Sequence, residues 1–199
     1  MKSFIGHVIA GGLFGAIALI HVPAYAQDAG FYIGGAFGQS RTKNDAAPFT
    51  ALGATVTKND ERNSMFRLFG GYDVNKHLGI EAAYVDLGAF GVSGTIGGAP
   101  FTAFGDITGL SVSGVGTLPL SEKFSVFGSV GVFFSKVKAS ASVAAVAGAA
   151  RDSGTDLTAG VGIKYALSKN IAARLEVNRY GLDDNGSAVT YSMGLQYKF

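Results

Sequence analysis

SAVTYSMGLQYKF, residues 187–199, alternates to its last residue: Val189, Tyr191, Met193, Leu195, Tyr197 and Phe199 fall on one face, and Thr190, Ser192, Gly194, Gln196 and Lys198 on the other. Chain ends usually fray in water. An unbroken period of two that ends on an aromatic residue therefore predicts a terminal strand held in a sheet, with something apolar covering one face.

The opposite end supplies the compartment. Met1 and Lys2 make a short positive start, FIGHVIAGGLFGAIALI follows as an apolar stretch of secretory length, and Ala24 and Ala26 of AYA have the small-x-small spacing that signal peptidase cuts. Residues 1–26 are expected to be a removed signal peptide and residues 27–199 the exported protein. The exported part has no cysteine, so its stability must come from a core, a metal or a membrane rather than from disulfides. Thirty glycines among 199 residues, 15% charged residues and 48% hydrophobic residues do not describe an ordinary water-solvated shell. The formal charge of +2 falls to +1 without Lys2, and no basic run stands out, so nucleic acid is not an expected partner.

Working inward from the last strand, the same design recurs near residues 31–39, 64–74, 78–88, 105–118, 124–136, 155–166 and 171–179, giving eight alternating segments with 187–199. Their lengths suit tilted membrane strands. Three links are tight and polar, NKH (Asn75–His77), SEK (Ser121–Lys123) and SKN (Ser168–Asn170). The links between them are longer, about 40–63, 89–104 and 137–154, followed by the short GLDDNG. Short turns at one end and long loops at the other, around an even strand count, predict an all-β, eight-stranded antiparallel transmembrane barrel of the outer membrane type.

A soluble sandwich would also alternate, so the composition of the two faces matters. Ile171, Ala173, Leu175 and Val177 oppose Ala172, Arg174, Glu176 and Asn178; Leu78, Ile80, Ala82 and Tyr84 oppose Gly79, Glu81, Ala83 and Val85. One face is uncharged in the middle of every strand, and the other carries small residues with isolated charges. Small residues suit the crowded inside of a narrow barrel better than the outside of a sandwich. Tyr72, Tyr84, Tyr165, Tyr191 and Tyr197 lie on the apolar face, several near strand ends where interfacial girdles form.

FRLFGGYDVNKHLGIEAAYVDLG, residues 66–88, resembles the second hairpin of the OmpA-type transmembrane domain, and GFYIGGAFGQS, residues 30–40, is similar to that family's first strand. The alternating C-terminus, with Tyr191, Met193, Leu195, Tyr197 and Phe199, resembles the signal that the barrel assembly machinery recognises. The resemblance implies an outer membrane of Gram-negative type, with lipid and lipopolysaccharide as surroundings. Full-length members carry a periplasmic peptidoglycan-binding domain after the barrel, whereas this sequence stops at Phe199. The expected comparison is a stand-alone small barrel of the OmpX or opacity-porin kind.

Arg67, Glu81, Lys164, Arg174 and Glu176 all fall on the small-residue face. Eight strands enclose a lumen that side chains can fill, and charges there must be paired and hydrogen-bonded. An ionic network that plugs the lumen is expected, as the resemblance also implies; a gated ion path through a small porin is the alternative. No catalysis is expected. The only histidine after the leader is His77, in a tight turn, so a serine nucleophile lacks its base. Asp183 and Asp184, or Asp152 and Asp156, read as solvated turn residues. No Cys or His cluster calls for a metal or other cofactor. The long links are expected to be surface loops, with an alternating 137–154 able to extend its flanking strands as a projecting hairpin. Envelope integrity and surface display are the expected role, with porin activity and loop-mediated adhesion to a host or cell-surface ligand as alternatives.

Overall fold

A computed structural model describes residues 29–42, 54–60, 62–96, 99–143, 146–182 and 186–199. The expected leader, with Ala24 and Ala26, and the acidic pair Asp183 and Asp184 lie outside the described residues. The strands are β1 (Gly30–Thr42), β2 (Ala54–Asp60), β3 (Arg62–Asp73), β4 (Leu78–Ile96), β5 (Ala99–Pro119), β6 (Phe124–Val143), β7 (Val146–Ala166), β8 (Ile171–Leu182) and β9 (Gly186–Lys198). All pairings are antiparallel and run in the order β2-β4-β3-β1-β9-β8-β7-β6-β5, and a β4–β5 ladder closes the ring. Elements β2 and β3 both pair along β4, at Gly91–Ile96 and Gly79–Asp86 respectively. They are two parts of one wall strand, so the barrel has eight.

The three tight turns share one device. Asn75 Oδ1 accepts from the backbone N–H of Leu78 at 2.9 Å, Ser121 Oγ from that of Phe124 at 3.1 Å, and Ser168 Oγ from that of Ile171 at 3.1 Å. In each, a short polar side chain satisfies the amide that restarts the next strand. These turns and the end of β9 mark one rim. At the opposite end the strands run on, and here the structure corrects the sequence reading. Residues 89–96 continue β4 and 99–104 begin β5, where a loop is expected, and β6 and β7 stay paired to Val143 and Val146. Links rich in Gly, Ala, Ser and Thr can pair backbone to backbone even where their glycines read as turns. The result is a sheet of β2, β4, β5, β6 and β7 that projects beyond the barrel.

Outside, Leu68, Ile80, Leu110, Val130, Val161, Leu175 and Met193 each keep 49–65% of their surface exposed. An apolar belt running right round the barrel exceeds anything a water-solvated monomer shows and fits the lipid-facing band of a membrane barrel. Rings edge it toward the turns, with Phe31 and Tyr72 centred 4.8 Å apart and Tyr197 and Phe199 at 5.2 Å.

Inside, bulky rings lie across glycines of the neighbouring strand. Tyr32 stands directly opposite Gly71, Phe69 opposite Gly34 and Phe127 opposite Gly162. A Cβ on any of these glycines would collide with the facing ring. The small-residue face is therefore small where it must admit an aromatic from the next strand. The one left-handed residue among those described is Gly88, with φ 80°, at a bulge where β4 slips against β5 between Asp86 and Ala89. Its N–H donates to Asp86 Oδ1 at 2.9 Å.

Candidate functional site in the barrel lumen

Period-2 alternation in β3, β4 and β8 points Arg67, Glu81, Arg174 and Glu176 inward, and the register sets them at one level. In the eight-membered ring β4 and β8 stand four strands apart in either direction, so a contact between them spans the full diameter. Arg174 Nη1 makes that contact, donating to Glu81 Oε2 at 2.8 Å. Arg67 Nη2 donates to Glu81 Oε1 at 2.5 Å, and its Nη1 donates to Glu176 Oε2. Arg174 Nε lies 2.6 Å from Glu176 Oε1, an ionic contact outside hydrogen-bond alignment.

Two guanidiniums and two carboxylates thus alternate in a closed, charge-neutral cycle. Each residue retains only 1–4% of its surface. Tyr32 donates its hydroxyl to Glu81 Oε2 at 3.0 Å, Arg174 Nη1 also donates to Gln196 Oε1 at 3.2 Å, and Asn178 Nδ2 donates to Glu176 Oε2 at 3.1 Å. The Arg174 guanidinium sits between the rings of Phe69 and Phe127, at 4.3 and 4.5 Å from their centroids. Planar cations stack well on such faces.

Lys164 stands apart from the cycle. Its ammonium lies 4.9 Å from the Phe127 centroid and 5.7 Å from that of Tyr32, and it makes no ion pair among the described residues. Nearer the turns, Lys198 Nζ and Asp73 Oδ2 pair at 2.9 Å. On the other side of the cycle the lumen is filled by hydrocarbon: Met65, Val85, Leu87, Ile107, Phe133, Tyr180 and Ala188 are buried together. The Phe133 and Tyr180 rings pack with centroids 4.8 Å apart. The described interior thus holds an ionic layer and, next to it, an apolar one.

A model of the outer membrane protein beta-barrel domain matches residues 12–199. The chain belongs to that family. Its members, and the cells of its solved and sequenced relatives, place this outer membrane barrel in the outer membrane of a Gram-negative cell. It is 27% identical over 195 residues to outer membrane protein A of Klebsiella pneumoniae, covering 92% of this chain and 54% of that protein. The chain spans about half the length of the curated relatives it matches. Its fold is that of Ail, the attachment invasion locus protein of Yersinia pestis, solved with the heparin analogue sucrose octasulfate, at a TM-score of 0.54 and 21% identity over 86% of this chain and 97% of that one. The N-terminal barrel of Pseudomonas aeruginosa OprF matches at 0.54, with 14% identity over 85% and 98% of the two chains.

For this outer membrane barrel the sequence marks the four ionic partners by their isolation on a small-residue face. It does not mark Tyr32, Gln196 and Asn178 as their hydrogen-bond partners, because polar inward residues occur on every strand and only the register selects three. The apolar seal is also hidden. Met65, between Asn63 and Arg67, and Phe133, between Gly131 and Ser135, lie on inward faces whose neighbours are polar, charged or small, so nothing in their own strands sets them apart.

Proposed function

We propose that this outer membrane barrel is a closed anchor that adds a rigid, hydrogen-bonded wall to the envelope and displays a projecting sheet outside the cell. The observation that carries this reading is the diametric contact between Arg174 and Glu81 beneath a buried apolar layer, an arrangement that favours a filled lumen over an open one. Arg67, Glu81, Arg174 and Glu176 serve as the plug; Lys164 lies on its periplasmic side. Planar-bilayer recording tests the reading, with a heat-modifiability gel to verify folding. Folded protein should be electrically silent. Steady, ion-selective openings that change when Glu81 is replaced would make it a small porin instead.

A second reading, adhesion, is favoured by the edge of β7. That strand pairs with β8 only from Thr158 to Ala166, so its backbone from Val146 to Thr155 has β6 on one side and, among the described residues, no paired strand on the other. An open edge accepts a partner strand. Ail, which shares the fold, was solved with the heparin analogue sucrose octasulfate. Replacing residues 139–154 by a short turn should abolish binding to host cells and leave the barrel folded.

Biogenesis follows the same reading. Residues 1–26 act as the export leader, cut after Ala26, and Tyr191, Met193, Leu195, Tyr197 and Phe199 form the face addressed to the barrel assembly machinery. These five side chains are 45–70% exposed on one side of β9 and its end, an arrangement open to recognition before the barrel closes.

A further inference from the structure

The outward charges are not spread evenly between the two rims. At the rim that carries the turns, Lys76, Lys123 and Lys169 sit in the turns themselves. At the other rim, cations stand on the strands, on the outward face, directly beyond the apolar belt. One such group is on the β6–β7 hairpin. Lys136 follows Phe134 by two residues on the same face, which at ~3.3 Å per residue and a tilt of about 40° lifts it roughly 5 Å above the last lipid-facing ring. Lys138 comes one further step up, and Arg151 is its direct partner across the ladder. All three are exposed.

The neighbours do not neutralise this group. Along one row the register sets Asp86, Thr108, Lys136 and Ser153 side by side; along the next, Ala89, Asp106, Lys138 and Arg151. Asp86 is turned onto the Gly88 amide. Asp106 stands opposite Lys138 and is the remaining acid, so three cations face one available carboxylate. None of the three cations makes an ion pair among the described residues. Like charges directly opposite in a ladder are destabilising, and Lys138 with Arg151 is such a pair. A built-in repulsion at this height fits a site completed by an external anion.

We infer that Lys136, Lys138 and Arg151 bind a phosphate group of an outer-leaflet glycolipid, whose acyl chains lie against Phe134 and Leu157 below. A lipid is the occupant because the three cations are exposed on the same outward face of the wall as the lipid-facing belt, and because the apolar surface beneath them, with Phe134 and Leu157 exposed, is continuous with that belt. Lysine and arginine together suit a phosphate monoester, the one as a point charge and the other as a two-pronged donor. This site does not depend on whether the lumen conducts.

The test uses protein extracted from the outer membrane into mild detergent, with bound lipid A measured by native mass spectrometry and by titration. Bisphosphorylated lipid A should bind, and the Lys136→Ala/Lys138→Ala/Arg151→Ala variant should bind it at least about tenfold more weakly. Enzymatically dephosphorylated lipid A with the same chains should show the same loss on the unaltered protein. A Lys123→Ala/Lys169→Ala variant, altered only at the opposite rim, should bind as the unaltered protein does. Because the three substitutions are on the surface, heat-modifiable migration should be retained, which separates lost binding from lost folding. Equal binding of the phosphorylated and dephosphorylated lipids would overturn the inference, as would an undiminished affinity in the triple variant. Binding of sucrose octasulfate through the same three residues, with indifference to lipid phosphorylation, would also overturn it and assign the site to a soluble polyanion.

Discussion

Replacing Glu81 by alanine is the most direct probe of the lumen. Glu81 accepts from Arg67, Arg174 and Tyr32. Its removal turns a neutral cycle into one with an excess positive charge and leaves one carboxylate, Glu176, between two guanidiniums. Arg174 keeps Glu176 and Gln196, and Arg67 keeps Glu176, so the donors are weakened rather than fully orphaned. Breaking a buried ion pair from one side costs about 3–5 kcal/mol, and that is the expected loss in unfolding free energy. Urea titration of the barrel in lipid vesicles, read by gel migration and tryptophan-free tyrosine fluorescence, measures it. Glu81→Gln keeps volume and one acceptor oxygen and should fall between the parent and Glu81→Ala. The charge-balanced Glu81→Met/Arg67→Met variant leaves a lone Arg174–Glu176 pair and should lose about 1–3 kcal/mol less than the two single effects combined. Strict additivity, or a loss below about 1 kcal/mol for Glu81→Ala, would refute the closed cycle as a source of stability.

Three further outcomes follow from the wall. Val161, midway along the lipid-facing part of β7 and 65% exposed, should not tolerate a charge: Val161→Arg is expected to lower stability by about 2–4 kcal/mol in a bilayer, and an unchanged value would argue against the belt. At the bulge, Gly88→Ala must adopt a left-handed backbone with its Cβ 2.5 Å from the Ser64 carbonyl oxygen; a loss of about 1–3 kcal/mol in the same titration is expected. Deletion of Phe199 should reduce the heat-modifiable fraction recovered from outer membranes while leaving refolding in detergent intact. Normal assembly in cells would remove the proposed address.

How much of this was legible in the sequence varies with the contrast between the two faces. In β8, Leu175 and Val177 against Arg174 and Glu176 declare inside and outside at once, and the burial follows that alternation. Beyond the membrane the contrast disappears. Residues 139–143 pair with 146–150, the projecting hairpin that the alternation of 137–154 allows but, with small residues throughout, does not require. The β4–β5 extension reads as a loop for a different reason: Phe90, Val92 and Ile96 do alternate with Gly91, Ser93 and Thr95, but the glycines at 88, 91, 94, 97 and 98 weigh toward turns. Strand count was readable because the turns are chemically distinct. Partnership was not: that Arg174 meets Glu81 rather than Lys164 meeting a carboxylate depends on the stagger of eight strands, a property of closure rather than of any one segment.

The ionic cycle also links the first half of the chain to the last. Arg174 and Glu81 are 93 residues apart, and Arg67 and Glu176 are 109 apart. A nascent wall containing β3 and β4 but not β8 would hold an arginine and a glutamate with half of their partners missing, facing a space that lipid could enter. Such a species is penalised until β8 arrives. The lumen thus works as a completion lock: its charges disfavour every partly built barrel and fall silent only in the finished one, which makes insertion resemble an all-or-none event rather than a strand-by-strand accretion.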